Sequence, residues 1–216
     1  MSLMTMIIKM SEGLGKTCAI FFLTLLFSLP LGMIVALLRM SRVRIVSAIT
    51  RAVITVLRGT PLMLQLLAVT YGPYYLFGAT VARNKLIPVV IAFSINYAAY
   101  FAEIFRAGIQ SIPRGQYEAA KTLGMTYAQT MKRIILPQMI HRTLPPISNE
   151  TINLVKDTSL IYILAMNDLL RVARTIVQRD FDMTAFFIAG AFYLVMTAVL
   201  TAIFKRMEAH YGKYDE

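Results

Sequence analysis

The chain has 216 residues, of which 57% are apolar and 15% are charged, and its mean hydropathy is +0.63. This composition excludes an ordinary soluble domain and predicts a membrane protein. The formal net charge is +11, but the Lys and Arg residues lie between long apolar runs instead of clustering on one solvated face, which argues against a nucleic-acid partner.

Five stretches are apolar over enough residues to cross a hydrocarbon core about 30 Å thick as helices. They lie at about 17–38, 52–77, 86–108, 145–167 and 184–204. We therefore predict an all-α polytopic membrane protein, with five transmembrane helices in a single domain over residues 1–216, surrounded by membrane lipid. Residues 3–10 fit either a short interfacial helix or a frayed terminus.

Residues 10–17, MSEGLGKT, differ at one position from the phosphate-binding pattern G-x-x-x-x-G-K-[ST], because Met10 replaces the first glycine. A phosphate-binding loop connects a strand to a soluble helix, whereas this segment continues directly into a predicted span. We therefore expect no nucleotide site here, and the sequence offers no other segment for hydrolysing ATP.

The Lys and Arg residues are distributed unevenly about the five predicted spans. Thirteen lie on the side of residues 39–51, 106–142 and the C-terminal tail, and seven lie on the other side. Because cytoplasmic loops carry the excess of positive charge, we predict an external N-terminus and a cytoplasmic C-terminus. The loop between the third and fourth spans then lies in the cytoplasm.

That loop, at about 112–137, carries a spaced pattern of acidic, small and apolar residues. It fits E-A-A-x3-G-x9-I-x-L-P at every specified position, and these positions are Glu118, Ala119, Ala120, Gly124, Ile134, Leu136 and Pro137. The residue types favour a helix, a sharp bend at Gly124 and a second helix that Pro137 ends. An amphipathic loop lying on the membrane surface is the alternative.

The pattern resembles the cytoplasmic coupling loop of ABC importer permeases, in which two short helices dock in a groove on the ATPase subunit. Further similarity lies in RGTP at 58–61, YAAYFAEIFR at 97–106, IPRGQ at 112–116 and LVKDTSL at 154–160. Together these segments resemble the permeases of polar amino acid importers, the histidine/glutamine/arginine-type family.

The resemblance implies a multi-pass subunit of the inner or plasma membrane that acts with a second permease, identical or related, on a dimer of ABC ATPases. An extracytoplasmic binding protein would deliver the amino acid. The ATPases would bind ATP and Mg, so we expect no cofactor and no catalytic residues in this chain. The implied function is ATP-driven import of polar or charged amino acids by alternating access.

Ionisable side chains inside a span are costly and therefore normally face a cavity or a partner. In the third span Asn96, Tyr100 and Glu103 are spaced by four and three residues, which places them on one helix face. They are predicted to contact substrate. The alternative is a tertiary contact in which Glu103 pairs with Arg106 or Arg58.

Four consecutive polar residues lie in the fourth span, namely Lys156, Asp157, Thr158 and Ser159. They cannot all face inward on a regular helix, so we predict a local break that lines the pathway. Lys156 would bind the substrate carboxylate, Asp157 and Glu103 the ammonium group, and the neighbouring hydroxyl and amide groups would complete the hydrogen bonds. An ion pair that holds the dimer together is the alternative.

Residues 58–61 predict a kink or a close helix crossing.

Two other functions remain compatible with this sequence. The same architecture would serve an ABC permease for another small solute, although a metal ion would require a His, Cys or carboxylate cluster that the spans lack. A membrane channel or scaffold gated by a cytoplasmic partner would not pump. No metal site is expected in either case.

Overall fold

The computed structural model describes residues 2–80 and 84–211, and the regular elements in these ranges are helices. In chain order they are α1 (Leu3–Arg39), α2 (Arg44–Gly59), α3 (Leu62–Phe77), α4 (Leu86–Gln110), α5 (Arg114–Thr122), α6 (Tyr127–Thr130), a π-helical segment (Met131–Ile135), α7 (Leu136–Asp157), a 3-10 segment (Thr158–Leu164), α8 (Leu169–Asp180) and α9 (Thr184–Tyr211). Two residues counted in the charge distribution, Arg83 and Lys213, lie outside the described residues.

Three described helices, α1, α4 and α9, are long and apolar enough to cross a membrane. The pair α2 and α3 adds a fourth span if the two are counted together, but they meet at an angle of 105°. The single regular helix predicted at 52–77 is therefore wrong, whereas the kink predicted at residues 58–61 is confirmed, since the chain is broken at residues 60–61. Residues 145–157 fall in α7, which is too polar to count as a span by composition alone, and residues 158–164 form the short 3-10 segment.

Helix α1 begins much earlier than predicted and runs for 37 residues. Residues 3–10 are thus neither a separate interfacial helix nor frayed, because Met6 and Met10 are buried against α8 and α9. The segment 10–17 lies in the middle of this helix. A Cβ atom at Gly13 would lie 2.9 Å from the carbonyl carbon of Asp168, so this glycine allows the start of α8 to approach α1 closely.

Helix α4 is the centre of the molecule and positions the candidate site. It packs along α1, and a Cβ atom at Gly32 would lie 2.8 Å from Cβ of Phe101. In a bilayer the lipid is as apolar as the side chains, so close approach through small residues favours helix association more than burial of apolar area does. The side chains of Phe93 and Phe101 are fully buried in this contact region.

Candidate functional site

The break between α2 and α3 exposes carbonyl groups at the end of α2, and side chains of α3 and α4 bind them. Gln65 Nε2 donates to the carbonyl oxygen of Leu57 at 2.8 Å and to Thr60 Oγ1 at 2.8 Å. Asn96 Nδ2 donates to the same Leu57 oxygen at 3.1 Å and to Gln65 Oε1 at 3.0 Å. The sharp bend is therefore satisfied inside the protein, as irregular backbone at membrane depth requires.

A second break lies at the end of α7, where the polar run begins. The α-helix ends at Asp157 and continues as a 3-10 segment from Thr158 to Leu164, so the regular α-helical geometry is lost where a local break was predicted, although the chain stays helical. The hydroxyl of Tyr97 on α4 donates to Asp157 Oδ2 at 2.7 Å. At the far end of the segment, Lys85 Nζ donates to the Leu164 carbonyl oxygen at 2.8 Å.

These two breaks face one another across a cavity of about 740 Å³. Its walls come from the α2–α3 break, α4 and α7. Two cationic and two anionic side chains line it, which are Arg58, Lys156, Glu150 and Asp157. The cavity thus combines helix ends with opposite charges, an arrangement typical of transporter binding sites. Its volume is within the range of small-molecule sites.

Four of the seven predicted substrate residues line this cavity, namely Asn96, Tyr100, Lys156 and Asp157. Thr158 and Ser159 are not among its lining residues. Thr158 is fully buried, and its hydroxyl donates to the Val155 carbonyl oxygen at 2.6 Å. Its hydrogen bond therefore supports the transition out of the α-helix.

Glu103 lies one turn along α4 from Tyr100 and lines a neighbouring cavity of about 520 Å³. Its Oε2 accepts from Arg106 Nε at 2.8 Å and from Arg106 Nη2 at 2.6 Å, and its Oε1 lies 3.9 Å from Arg39 Nε. Of the two contacts that the sequence left open, the ion pair with Arg106 is the one formed. This pair compensates the carboxylate charge within the protein.

Sequence reasoning did not assign several other lining residues of the main cavity to the site, among them Arg58, Tyr97 and Glu150. The Arg58 guanidinium stacks 5.0 Å from the ring centre of Tyr100, so the residue has a place in the cavity wall as well as beside the kink. Glu150 was overlooked, although Glu150, Asn153 and Asp157 are spaced by three and four residues and therefore share one face of α7. Tyr97 was overlooked beside Asn96.

The loop between α4 and α7 has the predicted helix, bend and helix. Gly124 adopts φ +68°, its N–H donates to the Lys121 carbonyl oxygen at 3.0 Å, and the Met125 N–H donates to the Ala120 oxygen at 3.0 Å. This pair of bonds is the Schellman motif that ends α5. Thr126 and Gln129 then form a reciprocal capping box that starts α6.

The predicted end of the second helix at Pro137 is wrong, because α7 continues through this proline to Asp157. In a regular α-helix the proline ring would clash with the carbonyl of residue 133 and would lack its hydrogen bond. The five residues from Met131 to Ile135 are π-helical. The wider turn moves that carbonyl away, so the chain accommodates the proline without ending the helix.

The motif residues divide between the protein interior and the surface. Glu118, Ala119, Gly124 and Pro137 are exposed, Ile134 and Leu136 are half-buried, and Ala120 is fully buried. Burial, with a smaller contribution from Tyr127, raises the pKa of the Tyr117 hydroxyl in α5.

Two large apolar side chains flank the bend of this loop and were not identified from the sequence. Leu123 is 78% exposed and Tyr127 is 75% exposed. An aromatic and an aliphatic residue exposed together beside a rigid bend suit a contact with a partner protein.

Comparison with known proteins agrees with this architecture. The L-cystine transport system permease TcyB of Bacillus subtilis is 38% identical over 208 residues, which cover 95% of this chain and 87% of that protein. The glutamate/aspartate import permease GltK of Escherichia coli is 37% identical over 214 residues, covering 92% of each chain. The crystal structure of an amino acid ABC transporter with histidines superposes with a TM-score of 0.87 at 33% identity, over 97% of this chain and 99% of that one.

A family model described as the inner membrane component of binding-protein-dependent transport systems matches residues 28–213. This match covers both helix breaks, the cavity and the loop between α4 and α7. The chain therefore belongs to this family of ABC transporter permease subunits of the inner membrane.

Proposed function

We propose that this chain forms the translocation path of an ATP-driven importer for polar or charged amino acids. The observation that carries the proposal is the cavity between the two helix breaks, which presents both signs of charge. A free amino acid carries a carboxylate and an ammonium group, and each needs a counter-charge when it loses water. The relatives named as permeases for cystine and for glutamate and aspartate support this substrate class.

We assign roles to the lining residues from the charged groups and hydrogen-bond acceptors that they present to the cavity. Lys156 is exposed at the cavity and would bind the carboxylate. Asp157 would bind the ammonium group while the Tyr97 hydroxyl holds one of its oxygens. Both N–H groups of the Asn96 amide are already donated, so Asn96 would offer its oxygen as an acceptor. Tyr100 would complete the wall.

The remaining predicted site residues have supporting parts in this proposal. Glu103 would hold Arg106 and the end of α1 in place, while Thr158 would hold the 3-10 turn. Ser159 would act beside it in the same turn. None of these three needs to contact the amino acid itself for the cavity to be charge-balanced.

The charge distribution supports five spans per subunit, with the N-terminus outside and the C-terminus in the cytoplasm. In this arrangement α7 and the 3-10 segment act as the fourth span despite their polarity. The polar face of α7 lines the cavity, so hydrocarbon would contact only its other faces.

The energy would enter through the loop of α5 and α6, which would dock on a separate ABC ATPase that binds ATP and Mg. Leu123 and Tyr127 would be the apolar anchors, beside the exposed Glu118 and Ala119. Closure of the two ATPases would draw together the loops of this chain and of a second permease, identical or related, and would turn the cavity outward. A binding protein would then deliver the amino acid to the outward-facing cavity. This chain would then hydrolyse nothing and need no cofactor.

The test is uptake by the complete complex reconstituted in proteoliposomes, with the binding protein outside and ATP inside. Each of the twenty radiolabelled amino acids and cystine is offered in turn, and we expect ATP-dependent accumulation of at least one polar substrate. Lys156→Ala and Asp157→Ala should raise its KM at least tenfold, whereas Lys205→Ala on α9 should not. Unchanged KM in both cavity variants removes them from the site, and flux without ATP indicates a channel.

Docking is tested separately by binding of the ATPase to the permease in nanodiscs. Leu123→Ala and Tyr127→Ala should each weaken binding by about 1–2 kcal/mol, as truncated interface anchors do. Lys121→Ala, an exposed neighbour on α5, is the matched control. Equal affinity of all three variants would mean that the ATPase docks elsewhere.

A further inference from the structure

The turn between α1 and α2 forms a basic concavity that the transport cycle does not explain. Its volume is about 310 Å³, and its lining residues are Ser41, Arg42, Arg44, Ser47, Ala48 and Arg51. The three arginine residues are exposed. The concavity is separate from the substrate cavity, with which it shares no lining residue.

Among the described residues, no hydrogen bond or ion pair engages the guanidinium groups of this concavity, whereas its hydroxyl groups are engaged. Ser41 Oγ accepts from the Val43 N–H at 3.2 Å. Ser47 Oγ donates to the Arg39 carbonyl oxygen at 2.7 Å and accepts from Arg39 Nη1 at 3.1 Å. Within residues 2–80 and 84–211, no carboxylate forms an ion pair with any of the three lining arginine residues. Their mutual repulsion makes the concavity a site for an anion.

Apolar side chains exposed on both sides of the concavity indicate its depth in the membrane. On α1 the last turns before it present Ile34 and Leu37, which is 51% exposed. On α2 a stripe begins with Ile45 at 70% exposed and Ile49 at 59%, and it continues along the helix. Both helices therefore offer hydrocarbon-compatible surface up to the turn. The guanidinium groups then lie at the level of the lipid head groups.

We propose that this concavity binds the phosphate of an anionic phospholipid such as phosphatidylglycerol. Arginine forks bind phosphate oxygens in pairs of hydrogen bonds, and three cationic groups suit a head group with net negative charge better than a zwitterionic one, whose own ammonium group offsets its phosphate. The exposed apolar surface of α1 and α2 accepts the acyl chains, which favours a lipid over a free anion. The proposal does not depend on which solute the permease carries.

The experiment measures lipid binding to the purified, delipidated complex in detergent. Short-chain fluorescent phosphatidylglycerol and phosphatidylcholine are titrated in parallel, and we expect preference for phosphatidylglycerol. The variant Arg44→Gln/Arg51→Gln should bind it at least tenfold more weakly. The control Lys205→Gln/Arg206→Gln removes two exposed charges from α9 and should bind as the wild type does. Should the first variant fail to assemble, Arg44→Lys/Arg51→Lys keeps the charge but loses the paired hydrogen bonds, so it should bind phosphatidylglycerol more weakly than the wild type does while still preferring it to phosphatidylcholine.

Three outcomes would overturn the proposal. The first is equal binding of the two lipids by the wild-type complex, and the second is the same loss in both variants. The third is displacement of phosphatidylglycerol by millimolar inorganic phosphate, which would identify a site for soluble anions. The lipid site is supported if the preference for phosphatidylglycerol is lost only in Arg44→Gln/Arg51→Gln. Inorganic phosphate must also fail to displace phosphatidylglycerol from the wild-type complex.

Discussion

Replacement of Gly124 by alanine tests whether the bend of the coupling loop is a conformational requirement. At φ +68° the residue lies in the left-handed region, where a Cβ atom approaches the following carbonyl oxygen. No other atom lies within 4 Å of a Cβ placed there, so the substitution adds backbone strain without a steric clash. Any effect of Gly124→Ala therefore reports on the backbone conformation alone.

The expected cost of this strain is about 1–2 kcal/mol, the penalty of a left-handed alanine relative to glycine. It lowers the population of the bent loop relative to unbent alternatives by about 5- to 30-fold. If docking requires the bend, the affinity for the ATPase falls by up to the same factor. Gly124→Asn should lose less, because asparagine tolerates this region better.

The assay is ATPase binding to the permease in nanodiscs, with substrate-stimulated hydrolysis as a second readout. Gly115→Ala is the matched control, because this glycine lies in α5, has open space around it and has no positive φ. The control should bind normally. Wild-type affinity for Gly124→Ala would refute the argument that the bend presents the docking surface.

Three further substitutions probe the helix contacts. Gly13→Ala should destabilise the protein by about 1–3 kcal/mol in detergent melting, because its Cβ would meet the Asp168 backbone at 2.9 Å, whereas Gly15→Ala should be tolerated. Tyr97→Phe removes a hydrogen bond worth about 1.5–3 kcal/mol and should raise the uptake KM. This effect on KM should be smaller in an Asp157→Asn background, and additive effects of the two substitutions would contradict the coupling. Glu103→Gln should cost about 1 kcal/mol of stability and leave KM unchanged.

The candidate site was partly accessible from the sequence. Of the seven side chains selected from the helix face of Asn96 and from the polar run that begins at Lys156, four line the cavity, and their contact with substrate stays a prediction. A fuller use of the same rule would have added Glu150 on α7. The partner of Asp157 was not accessible in this way, because Tyr97 lies 60 residues earlier and only the packing of α4 against α7 brings them together.

Local preferences explain what the sequence determined by itself. Membrane insertion follows from hydropathy summed over about 20 residues, and the bend at Gly124 from the backbone freedom of one glycine between helix formers. The change of helix type after Asp157 follows from adjacent polar residues that one helix face cannot hold. Each of these features depends on residues within a few turns of one another.

Only the tertiary structure decided features that depend on how separate helices meet. The 105° angle between α2 and α3 is held by Gln65 together with Asn96, which is 31 residues farther along the chain. The approach of Arg39 on α1 to Glu103 on α4 depends on how these two helices pack. Distances between helices, which residue spacing along one helix does not contain, set these outcomes.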